Sequence, residues 1–300
     1  MSHPELTRAK RMKSKAVTTL IPFLFVWLWS TGFVGARFGL PYIEPFFILT
    51  WRFILTLPVF AILILILRKR WLNIAQIKVQ LVVGAILHGL YLGGVFYAVS
   101  IGTPAGIAAI IVGIQPILTA VINRVLFGQS VSTRQTLGLV LGFIGLLAVI
   151  LGSAEISGSN VGLQGLAACI IALFGITIAT IIQKRYGAGT PLMAGAFWQY
   201  IGSLIVVAIA SLMLETHTVD PQWQLYAALF WMVIPLSTAA VLLLMYMISV
   251  GEVAKVTSYF YLVPPVAVVQ TWWLFDEALS VTSLVGCLVV VLGVALVVRE

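Results

Sequence analysis

The sequence predicts an all-α integral membrane protein with ten transmembrane helices arranged as two inverted repeats of five. Three observations lead there. Of the 300 residues, 61% are hydrophobic and only 9% are charged, whereas a soluble domain carries about 25% charged residues. Such a chain has too little polar surface to face water. The apolar residues also fall into ten blocks, each near the ~20 residues a helix needs to cross a bilayer of roughly 30 Å. Finally, the chain repeats itself, and a repeat governs how all the other elements are read.

The repeat is clearest between residues 97–145 and 246–293. Tyr97, Ser100 and Gly102 match Tyr246, Ser249 and Gly251 at an offset of 149. Leu126, Phe127, Gly138 and Gly145 match Leu274, Phe275, Gly286 and Gly293 at an offset of 148. One residue slips between the two sets, near Pro116 and Pro264-Pro265. Earlier in the chain, Arg37 aligns with Lys184, and Trp51-Arg52 with Trp198-Gln199, at an offset of 147.

In chain order the expected spans are 17–37, 45–67, 79–99, 104–126 and 134–152, then 162–183, 191–214, 223–249, 254–275 and 281–298. Turn and charge signals separate them, among them Arg68-Lys69-Arg70, Gly102-Thr103-Pro104, Gly128 to Ser132 and Asp220-Pro221. The chain thus divides into a basic N-terminal segment, 1–16, a first repeat, 17–152, and a second, 162–298. No gap holds a soluble domain. The N-terminal run lacks a small-x-small cleavage site and contains Trp27 and Trp29, so it is expected to be a first span and not a cleaved signal.

With the N-terminus in the cytoplasm, every one of the 17 Lys and Arg except Arg37 and Arg52 falls on the cytoplasmic side. Both termini are then cytoplasmic. Five spans in the first half bring the second half in from the opposite side, so the halves are antiparallel. Inverted repeats are the architecture of many secondary transporters, with the substrate site near the midplane between repeats.

Several function classes drop out. The net charge of +8 is scattered over loop ends and forms no nucleic-acid patch. There is no Walker motif, metal-ligand cluster or triad spacing, so neither enzyme chemistry nor a cofactor is expected. Cys169 and Cys287 lie in apolar runs and read as inert thiols. The expected partners are the lipid bilayer and a small-molecule substrate, with the chain a monomer or homodimer.

A family resemblance rests on particular residues. These are Trp29-Ser30 with Arg37, Arg52 in the second span, and the Ala/Gly-rich start of the fourth span leading to Pro116. In the second half they are Val263-Pro264-Pro265, then Leu274 to Ser280 (LFDEALS), then Gly286 and Gly293. Each half resembles one EamA domain of the drug/metabolite transporter superfamily, over residues 17–298. The first half departs from the pattern, with Gln129 where the second has Glu277. The resemblance implies a ten-helix carrier of small metabolites, often an exporter, in the bacterial inner membrane.

None of the nine carboxylates lies in the middle of a span. Carriers of organic cations, and many proton-driven ones, use a buried acid, so its absence points away from both. Arg52, about two turns into the second span beside Trp51, is the sharpest candidate for holding a substrate carboxylate. The alternatives are snorkelling or pairing with Glu44. His88 is the one mid-span group able to titrate near neutral pH, and a proton-coupled carrier using it is one alternative to a simple exporter, a non-transporting membrane protein the other; the plainer reading of His88 itself is a hydrogen-bonded packing histidine. The fourth span has Gln115 and Thr119 on one face, with Pro116 beside them. Pro116, Pro264 and Pro265 are candidate hinges, since proline frees a carbonyl and lets a helix bend; the alternative is a static kink that helps curved helices pack. Trp29, Tyr91, Trp198, Gln199, Tyr246 and Tyr259 complete the candidate lining.

Overall fold

The computed structural model describes residues 20–32, 34–36, 38–103, 108, 111–157, 162–251, 253–275 and 280–298. Arg37, the N-terminal basic segment and the Asp276-Glu277 turn lie outside the described residues. The helical stretches, in chain order, are α1 (Leu20–Ala36), α2 (Pro45–Ile66), α3 (Ile74–Ser100), α4 (Ile111–Phe127) and α5 (Thr133–Ser157). They continue with α6 (Leu163–Tyr186), α7 (Leu192–Leu214), α8 (Trp223–Val250), α9 (Val253–Ser258 resuming as Val263–Phe275) and α10 (Val281–Val298). Five of them, α2, α3, α6, α7 and α8, are long and apolar enough to cross a membrane.

Local chemistry sets the ends. Pro45 opens α2, where its missing N–H costs nothing. Helix α3 begins five residues earlier than its apolar run predicts. The cause is a capping box: the Asn73 side chain accepts from the Gln76 N–H, and the Gln76 side chain accepts from the Asn73 N–H. Gly128 ends α4 at φ 65°, a left-handed cap that few other residues adopt at low cost, while the Gln129 N–H reaches back to the Asn123 carbonyl. The Ser132 hydroxyl accepts from the Gln135 N–H to start α5, and the Ser280 hydroxyl accepts from the Ser283 N–H to start α10.

Two stretches were not foreseen. Helix α3 widens to π geometry over Ala85–Leu92, and α8 does so over Met232–Ala240. Adding the offset of 147 to Ala85 gives Met232, so the same irregularity recurs at the same place in both halves. π segments are rare and gather at functional sites. In α8 the segment contains Pro235, and the Thr238 hydroxyl donates to the Val233 carbonyl at 3.0 Å.

The proline positions also recur as irregularities. A turn at Ile114 interrupts α4 just before Gln115-Pro116, and a 3-10 turn over Tyr259–Leu262 interrupts α9 just before Pro264-Pro265.

The halves interleave rather than sitting side by side. Helix α3 packs on α6 and α7, and α8 packs on α2. Helix α1 meets α8 through a Trp231 N–H donated to the Thr31 hydroxyl at 2.8 Å. It meets α9 through Gln270, whose amide accepts from Ser30 and donates to the Trp27 carbonyl. Helices α5 and α10 form the tightest pair, backbone against backbone. A Cβ on Gly145 would stand 2.6 Å from the Val290 nitrogen, and one on Gly293 2.5 Å from the Gly142 nitrogen. Both cysteines are free thiols.

Candidate functional site

Two buried features lie close together at the centre of the bundle. The first is a small apolar cleft lined by Trp29 of α1, Tyr91 of α3, Val112 and Gly113 of α4, and Phe260, Val263 and Pro264 of α9. It sits between the two proline breaks. Trp29 stacks on Tyr91, their planes 3° apart and centroids 6.4 Å apart, and its N–H points at the Tyr91 hydroxyl at 3.4 Å. Phe260 meets Trp29 edge-on.

The second feature is Arg52. It is only 2% exposed, and among the described residues no carboxylate pairs with it. Its Nε donates to the Ser237 hydroxyl at 2.8 Å. The Tyr200 hydroxyl donates to the Ser237 carbonyl at 2.8 Å, so one residue of the α8 π segment anchors both. Tyr91, Tyr200 and His88 all lie within electrostatic reach of the guanidinium. Tyr91 therefore joins the arginine to the cleft. An arginine at the centre of a membrane helix costs about 2.5–3.5 kcal/mol on insertion scales, and here a hydroxyl accepts from it and two phenols lie within electrostatic reach, in place of an acid.

His88 stacks face-on against Tyr200, with centroids 4.9 Å apart and planes 14° apart. Neither ring nitrogen has a hydrogen bond of good geometry, although the Gln199 amide lies within reach of the ring.

Gln199 holds the place in α7 that Arg52 holds in α2. Its Nε2 donates to the Gln80 oxygen at 2.6 Å and to the Gln183 oxygen at 3.2 Å. Gln115 donates to the Thr180 hydroxyl at 3.5 Å, the long limit for such a bond, and its own oxygen and the Thr119 hydroxyl have no partner.

The other expected residues stand elsewhere. Trp51 is 42% exposed and packs on Phe47. Adjacent helical residues point about 100° apart, so burying Arg52 turns Trp51 outward. Trp198 is half-buried against Phe197. Tyr259 packs on Phe23 and leaves the cleft wall to Phe260. Tyr246 is half-buried and does not line the cleft. Pro116 and Pro265 are buried beside the breaks, and Pro264 lines the cleft itself. Glu44 does not pair with Arg52. Its carboxylate accepts from the Thr216 and Thr218 N–H groups, while Glu215 accepts from the Phe46 N–H at the start of α2. The α1–α2 and α7–α8 loops are thus clasped together, with a short bridge between Ile43 and Val219.

Ser237, Gln80 and Gln183 were missed by sequence reasoning. Amides are scarce in apolar spans, and that scarcity was the available signal for Gln80 and Gln183. Ser237 had only its position two residues after Pro235.

The model of the EamA-like transporter family matches residues 17–151 and again 163–299. The chain belongs to the EamA-like transporter family. It is a multi-pass transporter of the inner membrane and not an enzyme. Similar proteins include a probable amino-acid metabolite efflux pump of Escherichia coli K12, 22% identical over 91% of this chain and 92% of the pump. An uncharacterized inner membrane transporter, YedA, from the same strain is 27% identical over 90% of this chain and 87% of its own length. A WAT1-related chloroplastic protein of Arabidopsis thaliana is 28% identical over 93% of this chain and 68% of that protein. A solved crystal structure superposes with a TM-score of 0.77 at 19% identity, covering 95% of this chain and 98% of the other, which shows the fold.

Proposed function

We propose that this EamA-like transporter is a secondary carrier that exports a small polar or zwitterionic metabolite, such as an amino acid, by alternating access. The chain crosses the membrane ten times, as two inverted repeats at 17–152 and 162–298, with both termini cytoplasmic. The observation that carries the reading is the buried Arg52, which has no acid partner among the described residues and is joined through Tyr91 to an aromatic cleft. A substrate carboxylate supplies the missing counter-charge, and two parallel N–H···O bonds orient it. The cleft takes the substrate's apolar part. Pro264, which lines that cleft, serves with Pro116 and Pro265 at the helix breaks as the hinges by which α4 and α9 open it alternately to the two sides.

The name of the Escherichia coli relative supports an amino-acid metabolite and outward movement. So does the lack of any buried Asp or Glu among the described residues, which disfavours a cationic drug. Flux into proteoliposomes, with labelled amino acids compared against cationic dyes, tests the reading. Uptake of amino acids and not dyes is expected; the reverse would sink it. Flux that ignores an imposed pH gradient would separate this mechanism from proton coupling through His88.

A further inference from the structure

A zwitterion brings an ammonium as well as a carboxylate, and Arg52 can serve only the second. A buried acid would be the usual partner for the first, but among the described residues no Asp or Glu is buried. The α7 glutamine offers another solution. Both amide protons of Gln199 are taken, one by Gln80 at 2.6 Å and one by Gln183 at 3.2 Å. That leaves its carbonyl oxygen, which is fully buried and has no partner. The amide reaches the edge of the His88 imidazole, although no well-formed hydrogen bond joins them. The same imidazole lies within reach of Arg52. A guanidinium and a free amide oxygen therefore flank one histidine, from α2 and α7, at places related by the repeat offset.

We propose that Gln199 is the ammonium-recognising residue of the substrate site, its carbonyl oxygen accepting from the –NH3+ of a zwitterion whose carboxylate Arg52 holds. The inference rests on the substrate reading above. Gln80 and Gln183 are positioning residues: by taking both Gln199 protons they fix the amide with its acceptor end free. An uncharged acceptor suits this place. A carboxylate there would attract the guanidinium across the imidazole and compete with the substrate's own carboxylate. An amide oxygen binds a cation without competing for the arginine.

The test is isothermal titration of two probes into the purified full chain in lipid nanodiscs. One is leucine; the other is 4-methylpentanoate, the same carbon skeleton without the amine. Gln199→Met should weaken leucine at least tenfold and leave 4-methylpentanoate unchanged, so that the preference for the amine disappears. Gln199→Asn keeps an amide but draws it back by one methylene, and should fall between. Gln80→Met, which frees the Gln199 amide to turn, should cost leucine a few-fold. Elution as a single species on gel filtration confirms that each variant is folded. If the leucine preference survives in both Gln199 variants, or both probes weaken equally, the inference is overturned while the carrier reading stands. If neither probe binds the unaltered chain, the amino-acid reading falls and this inference falls with it.

Discussion

Arg52 and Gln199 occupy matching places in the two halves, 147 residues apart, and their neighbourhoods share a plan. Four residues on, the Thr56 hydroxyl donates to the Arg52 carbonyl, and the Ser203 hydroxyl donates to the Gln199 carbonyl. Each side chain reaches across to the third helix of the other half, Arg52 to Ser237 on α8 and Gln199 to Gln80 on α3. The chemistry then diverges. One side is a cation held by a hydroxyl and bordered by phenols. The other is a set of amides that satisfy one another and leave single ends free. A repeated backbone has thus been given one charged and one neutral polar centre. Duplication supplied the symmetry of position, and side-chain substitution supplied a difference between the halves that a directional carrier can use.

The comparison can be broken most severely at the charge. Arg52→Gln makes the two centres alike, and proteoliposome flux should fall roughly 10- to 100-fold, the loss expected when about 1.5–3 kcal/mol of hydrogen bonding to a charged group is removed. Normal flux in a folded variant would reduce Arg52 to a structural arginine. Exchanging the residues, with Arg52→Gln and Gln199→Arg together, asks whether position or surroundings matter. Flux should stay low, because Gln80 and Gln183 cannot supply the phenols that border Arg52; recovery would mean that the centres are interchangeable. Ser237→Ala keeps the charge but removes the Arg52 Nε acceptor. Leaving that donor unpaired costs about 1–3 kcal/mol, and substrate KM should rise several-fold while the maximal rate changes less.

The smallest effect lies outside the spans, at the loop clasp. At Glu44 slight burial works to raise the pKa, but the Thr216 and Thr218 N–H groups, with the Thr216 hydroxyl and the His217 N–H, outweigh it and hold the value below the ordinary 4.5. A carboxylate with a lowered pKa contributes its stability above the unfolded value and loses it as pH falls through the folded one. Thermal unfolding should therefore be insensitive to pH from neutrality down to about 5 at this site and then decline. Glu44→Gln should flatten that decline; an unchanged profile would show that the clasp contributes little.

Much of the bundle was legible in advance because membrane spans are written in length and apolarity. The starts of α2 at Pro45 and α8 at Trp223 matched to the residue. Helix α3 began early because a capping box outweighed the loss of hydrophobicity around Gln76 and Lys78. The π segments left no trace in composition, since widening a helix needs no particular residue. Arg52 was found because a charge in an apolar run is conspicuous. Trp51 was chosen for its match with Trp198, yet repeat symmetry says which helix a residue lies on and not which way it points. Ser237 escaped notice because a lone serine in a span has no signature until the helix opposite it is known.

The interleaving has a consequence for how the protein is made. Arg52 waits for Ser237, and Gln80 waits for Gln199, and both partners are synthesised well over a hundred residues later. Until α7 and α8 enter the membrane, the emerging first half carries a guanidinium, an imidazole and an amide whose final partners do not yet exist. Lipid cannot satisfy them. The half-made chain must therefore keep these groups out of contact with lipid until α7 and α8 arrive.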